Sequence, residues 1–163
     1  MATLTAPRKF RFASGSGSLR LYPEAAACVA KRGEPVNLTS GKVQRITTTT
    51  TSNLTSTDGV LGWAMADGSG TTDADIPILL ADDLTEWLLP VVHSTAATAV
   101  TAITNIGAQY CLSHLNTGGW YGYEISQTSN PIIEISEIAK DYAVGEGYGW
   151  AWGKILNAGR AIA

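Results

Sequence analysis

From about residue 35 onward the chain breaks into short apolar runs separated by polar turns. Residues 35–38 and 43–46 flank Ser40, Gly41 and Lys42, a turn signal between two extended segments. Residues 60–66 alternate around Trp63 and Met65. Residues 76–81 form a continuous apolar run suited to a central strand, although Pro77 near its start points to an edge or first-residue position. Residues 87–92 are another such run, interrupted by Pro90. Residues 106–112 and 120–125 read as paired strands around a turn at 116–119, with Tyr121, Tyr123 and Ile125 on one face of the second. Residues 132–138 alternate again, with Ile133, Ile135 and Glu137 sharing a face. Near the end, Tyr148, Trp150 and Trp152 alternate with Gly149, Ala151 and Gly153, which makes one face aromatic and the other open to close backbone approach. About eight short strands with turns every eight to twelve residues predict a mainly β fold, a small antiparallel barrel or sandwich.

The remaining segments read differently. Residues 1–30 are expected to be an extended N-terminal arm and residues 31–163 the β-rich domain. Lys9-Phe10-Arg11-Phe12 alternates like a strand, and a Ser/Gly stretch follows it. Residues 24–30 have local helix propensity, but seven residues make a marginal helix, so an extended or mixed conformation is favoured. Five consecutive threonines at 47–51 favour extended backbone because Thr is stiff at χ1. Residues 93–105, rich in Ala and Thr, fit helix and strand equally.

Composition narrows the function. The chain has 163 residues, 45% hydrophobic but only 15% charged, against about 25% charged in average proteins. Such a surface suits a β protein or one partly covered by partners. The net charge of -3 argues against general nucleic-acid binding. The charge is uneven. Residues 1–45 carry Arg8, Lys9, Arg11, Arg20, Lys31, Arg32, Lys42 and Arg45 against Glu24 and Glu34, so the other 118 residues hold a large acidic excess. A basic start on an acidic body predicts an arm that grips an acidic partner, or subunits that attract head to tail. The start of the chain turns basic within its first residues and reads as no secretory leader, and no apolar stretch reaches the ~18 residues of a membrane span. Cys28 and Cys111 sit among apolar neighbours and read as buried free thiols, with a disulfide between them left open.

Candidate chemistry is sparse. Asp67, Asp73, Asp75, Asp82, Asp83 and Glu86 form the densest acidic group, but they lack EF-hand spacing and read first as polar turn residues. His93 and His114 are the only histidines and sit beside polar loop positions. Nucleophile-elbow, zinc-protease, P-loop and dinucleotide-binding motifs are absent from the sequence. No cofactor, metal or catalytic residue is expected. Five tryptophans read as core by default, with a minority at a subunit interface, or as a carbohydrate-stacking face.

Several segments carry a resemblance. They are K-R-G-E-P-V-N-L from Lys31, the stretch G-V-L-G-W-A-M-A-D-G-S-G-T-T-D-A-D-I-P-I-L-L-A-D-D-L-T-E-W from Gly59, I-G-A-Q-Y-C-L-S-H-L-N-T-G-G-W-Y-G-Y-E-I from Ile106, S-N-P-I-I-E-I from Ser129 and Y-G-W-A-W-G-K-I-L from Tyr148. In composition and order these resemble the small capsid decoration (cement) proteins of tailed phages, built on a β-tulip-like domain. Trp87 departs from the pattern, and residues 1–30 lie outside it. The resemblance implies a non-enzymatic virion protein on the outer capsid surface, made in the host cytoplasm. It would form a homotrimer and bridge subunits of a major capsid protein with the HK97-type fold, without direct contact to nucleic acid or membrane. Residues expected at capsid or subunit contacts are Arg8, Lys9, Phe10, Arg11, Phe12, Arg20, Trp87, Trp150 and Trp152. The alternatives are a carbohydrate- or ligand-binding β module, and a β-barrel hydrolase using the aspartates with His93 or His114.

Overall fold

The computed structural model describes residues 11–14, 17–46, 53–82, 85–95, 98–114, 121–139, 144–145, 147 and 149–161, with only the backbone described at 11–14 and 114. The fold is mainly β. In chain order the strands are β1 (Arg11–Ser14), β2 (Leu19–Pro23), β3 (Pro35–Thr39), β4 (Lys42–Arg45), β5 (Asn53–Leu54) and β6 (Gly62–Ala64). They continue as β7 (Asp75–Leu80), β8 (Glu86–Val92), β9 (Gln109–His114), β10 (Tyr121–Glu124), β11 (Ile133–Ile138) and β12 (Trp150–Ile155).

Five of these strands form a closed barrel. β8, β10, β9, β11 and β12 pair in that order, and β12 pairs back with β8. Every pairing in the ring is antiparallel except β8 with β10, which is parallel. β1 continues the β10 edge of β8, and β5 continues the β11 edge of β9. Closure removes the unpaired edges that an open sheet leaves exposed. The interior holds Trp87, Leu89, Val91, Tyr110, Leu112, Tyr121, Tyr123, Ile133, Ile135, Ala151 and Ile155.

Small residues make room for that interior. The Gly–Ala face of β12 points inward, with Gly153 packed against the Glu134 backbone and the Tyr123 ring. A methyl group there would lie 2.7 Å from the Glu134 carbonyl oxygen and 3.0 Å from the Tyr123 hydroxyl. The close approach expected on this face therefore occurs inside the barrel. β11 alters its predicted alternation through a register shift between Ile135 and Glu137. The shift changes parity, so Ile138 is buried and Glu137 is exposed.

Of the four prolines in the described strands, Pro23 and Pro35 sit at strand ends, and the two inside strands, Pro77 and Pro90, each have a positional explanation. The Val91 N–H donates to the Gly149 carbonyl, so positions 87, 89 and 91 bond toward β12. Pro90 then presents its nitrogen to the opposite edge, in the gap between β1, which ends its pairing at Leu88, and β10, which begins at Val91. Pro77 was expected at an edge or strand start, but β7 lies between β2 and β6. It is tolerated because the β6 ladder ends at Ala64–Ile78, leaving only the Met65 N–H to bond the Pro77 carbonyl.

The second sheet is antiparallel in the order β2-β7-β6-β3-β4. It curls until β4 meets the chain just beyond β2, through a parallel bridge between Glu24 and Val43. Its concave face encloses a smaller core of Cys28, Ala30, Val36, Val43, Leu61, Ala64, Ile76 and Ile78. Its convex face gives Trp63 and Leu79 to the barrel's cluster. Trp63 stacks on Trp87 with ring centroids 3.8 Å apart and planes 21° apart, which joins the two lobes.

Of the arm expected over residues 1–30, the described segments 11–14 and 17–30 take part in the fold. β1 joins the barrel, β2 joins the second sheet, and Cys28 and Ala30 pack with residues beyond position 30. Segment 24–30 contains no helix. Where described, residues 93–105 hold no α-helix or strand; Thr98 and Ile103–Asn105 are in 3-10 conformation, and Val100 bridges to Gly147. The threonine run at 47–51 and the turn at 116–119 lie outside the described residues.

Candidate functional site

The polar side chains with the most complete partnerships are structural. The buried Glu24 carboxylate accepts the Ser69 and Gly70 N–H groups at 2.9 and 3.0 Å and the Ser69 hydroxyl at 3.1 Å. It fastens the 69–70 turn to the end of β2. The buried Glu34 accepts the Lys31 N–H at 2.8 Å and the Arg45 guanidinium at 2.9 Å. Charge-assisted bonds of this kind compensate the desolvation of a carboxylate.

The acidic group from the sequence disperses into such roles. Asp67 accepts the Lys31 ammonium at 3.2 Å and the Arg32 N–H at 2.8 Å, and Asp73 pairs with Lys42 at 2.7 Å. Asp82 accepts the Thr85 hydroxyl. Asp75 is exposed, and Asp83 lies outside the described residues. Among the described residues no three His, Cys, Asp or Glu side chains come together as a metal site. Lys31, Lys42 and Arg45 thus pair within the chain, so part of the predicted charge contrast is satisfied internally.

One polar cluster at the end of β10 was not anticipated. Glu124 is buried and accepts the N–H groups of Ser94 and Ser126, at 3.1 and 3.2 Å, and the Ser126 hydroxyl. The Ser126 and Ser94 hydroxyls are 3.3 Å apart, and Ser94 Oγ is 3.5 Å from His93 Nδ1. That last separation exceeds the 2.6–3.2 Å of a nucleophile–base pair (about that range), and His93 Nδ1 already accepts the Thr95 N–H at 2.9 Å. The arrangement closes the 93–95 and 124–126 turns onto each other. His114 sits in β9 opposite Tyr121, with only its backbone described.

Both cysteines are buried free thiols. Cys28 belongs to the core of the second sheet, and the Cys111 thiol donates to the Ser129 carbonyl at 3.2 Å. Burial, followed by the nearby charges of Glu124 and Asp58, pushes the Cys111 thiol above its ordinary pKa, which keeps it protonated and unreactive near neutrality.

The expected contact residues separate into groups. Trp87 and Trp150 are both buried, at 0% and 3% exposed, Trp87 within the barrel's cluster and Trp150 on the other face of β12. Trp152 is half-buried and Arg20 is exposed. Arg11 and Phe12 lie on β1, paired with Leu88 and Trp87. Arg8, Lys9 and Phe10 lie outside the described residues, as does Trp120. With Trp63 also buried, the described tryptophans form no exposed stacking platform for a sugar.

Exposed apolar side chains supply the surface features that the sequence reading missed. Leu19, Leu21 and Val29 belong to the lobe of the second sheet. Ile103, Ile106 and Val144 are exposed in loops between barrel strands, and the Gly145 N–H donates to the Thr101 carbonyl between the two loops. In sequence, Leu19 and Leu21 look like any strand alternation, and Ile103 and Ile106 look like an ordinary core spacing. Only the sheet order and the loop path turn them outward.

Among the described residues no helix is long and apolar enough to cross a membrane. Searches against protein-family models, curated proteins and solved structures give no match.

Proposed function

We propose that this chain is a structural protein that works through contact surfaces, as a decoration protein on the outside of a phage head. The observation that carries the reading is the division of its exposed large apolar side chains between two lobes. Leu19, Leu21 and Val29 lie on one, Ile103, Ile106 and Val144 on the other. A protein that bridges two neighbours needs two separate adhesive surfaces on a stiff body, and the Trp63–Trp87 stack ties the lobes together. The sequence resemblance to capsid cement proteins names the setting. In it, a homotrimer binds the outer shell and spans seams between major capsid subunits.

The energetics suit that role. Apolar burial contributes roughly 25 cal/mol per Å², and a standard interface of ~1,600 Å² leaves only a surplus as affinity. Repetition over a shell turns modest individual contacts into strong retention through avidity. The full-length chain, purified and mixed with undecorated heads of the phage that encodes it, is expected to co-sediment at saturation with a fixed number of copies per head. Heads that pellet without it refute the reading.

A further inference from the structure

Most of the described strands have partners on both sides, but among the described residues one edge of β2 has no strand partner. The Ser18 carbonyl accepts the Leu80 N–H at 3.0 Å, and the Glu24 N–H donates to the Ala74 carbonyl at 2.8 Å. Bonding alternates along an antiparallel ladder, so positions 18, 20, 22 and 24 face β7. The N–H and C=O groups of Leu19 and Leu21 face the other way. β4 reaches the chain only past this point, where the Ala25 N–H bonds the Val43 carbonyl at 2.9 Å.

The side chains match the open backbone. Leu19 and Leu21 are 62% and 64% exposed, on one face of the strand. Arg20, between them on the opposite face, is exposed and has no hydrogen-bond or ion-pair partner among the described residues. Its charge selects among occupants. A two-fold pairing of β2 with a second copy, centred on Arg20, would set two guanidinium groups directly opposite each other, which is destabilising. The other outer strands described, β1, β4 and β5, carry no carboxylate that would complement it.

We propose that the open edge of β2 is a docking site for an extended acidic segment of another polypeptide. The segment adds as a strand beside Leu19–Leu21. Its main chain takes up the free N–H and C=O groups, alternate apolar side chains cover the two leucines, and carboxylates on the other face reach Arg20. This assignment stands apart from the phage-head reading, since it rests on the strand edge alone.

The test uses the full chain and two fluorescein-labelled octapeptides, one alternating Glu and Val, the other Lys and Val, followed by fluorescence anisotropy. The Glu–Val peptide is expected to bind saturably and more weakly as salt is raised. Leu21→Pro should weaken it by about tenfold or more. The Leu21 N–H points away from β7, so proline there blocks strand addition without removing an internal ladder bond. Arg20→Glu should transfer the preference to the Lys–Val peptide. Equal binding of both peptides, no binding of either, or full binding by a Leu21→Pro variant with wild-type circular dichroism overturns the proposal. So does a dimer in light scattering that Leu21→Pro dissolves, because the edge would then serve self-association.

Discussion

The two lobes solve the same problem in different ways. The barrel closes its backbone on itself and fills its interior with aromatic and branched aliphatic side chains, including Trp87, Tyr121, Tyr123, Ile133 and Ile135. Among the described residues, the second sheet has no strand partner on the outer edge of β2 and a core of smaller side chains, with only Ile76, Ile78 and Leu61 of comparable size. It adds buried carboxylates, Glu24 and Glu34, that lace its turns and strand ends together. The barrel has the larger apolar cluster and one buried carboxylate, Glu124 at the end of β10, whereas the second sheet sets two buried carboxylates around a smaller apolar core. An open edge needs such fastening, because fewer ladder bonds secure it.

The contrast is broken most forcefully at the junction. Trp63→Ala or Trp87→Ala removes half of the stack and opens a cavity shared by both lobes. Either should lower unfolding free energy by about 3–5 kcal/mol in a urea titration. If the lobes are independent, Trp63→Ala should instead give two transitions, with the barrel's midpoint unchanged.

Glu24→Ala tests the fastening of the second sheet. It strands the Ser69 and Gly70 N–H groups and should cost about 1–3 kcal/mol. Hydrogen exchange should then speed up in β2 and β7 while the barrel amides keep their protection.

Tyr123 sharpens the other side. Its hydroxyl donates to the Trp87 carbonyl in the barrel interior, and burial, then the Glu86 charge, holds the phenol well above its ordinary pKa. The folded state therefore keeps this proton at pH values where the unfolded chain has lost it. The contribution is complete below about pH 10, the ordinary phenol value, and is lost as pH rises toward the folded value. Tyr123→Phe should cost about 1–3 kcal/mol at neutral pH and flatten the loss of stability above about pH 10. Thermal melts from pH 8 to 11 measure both. The smallest effect belongs to the exposed Lys31–Asp67 pair, where Lys31→Ala should change stability by less than about 1 kcal/mol in the same melts.

Strand identity was largely legible in the sequence, because alternation and turn residues act locally. The β3–β4 hairpin falls where Ser40 and Gly41 place it, and β7, β8, β11 and β12 fall within or close to their apolar runs. Strand order was less legible. Pro77 suggested an edge, yet ladder length, a non-local property, lets it sit in an inner strand. Trp87 and Trp150 looked suitable for contact, but both are buried, Trp87 inside the barrel and Trp150 on the opposite face of β12 from Ala151. The basic excess of residues 1–45 suggested an arm that grips an acidic partner or subunits that attract head to tail. Folding pairs Lys31, Lys42 and Arg45 with carboxylates of the chain itself, and leaves Arg20 as the described cation on an open strand edge. The surface features depended on which neighbours each strand acquires, and no local pattern encodes that.

The central claim is that this protein acts by occupying the outer face of a protein shell. Its most direct test is a cryo-electron microscopy difference map between heads assembled with and without the full chain. The account predicts added three-lobed density at the local three-fold positions of the outer surface, fitted by three copies of this two-lobed body. Identical maps, or added density confined to the interior, would contradict it.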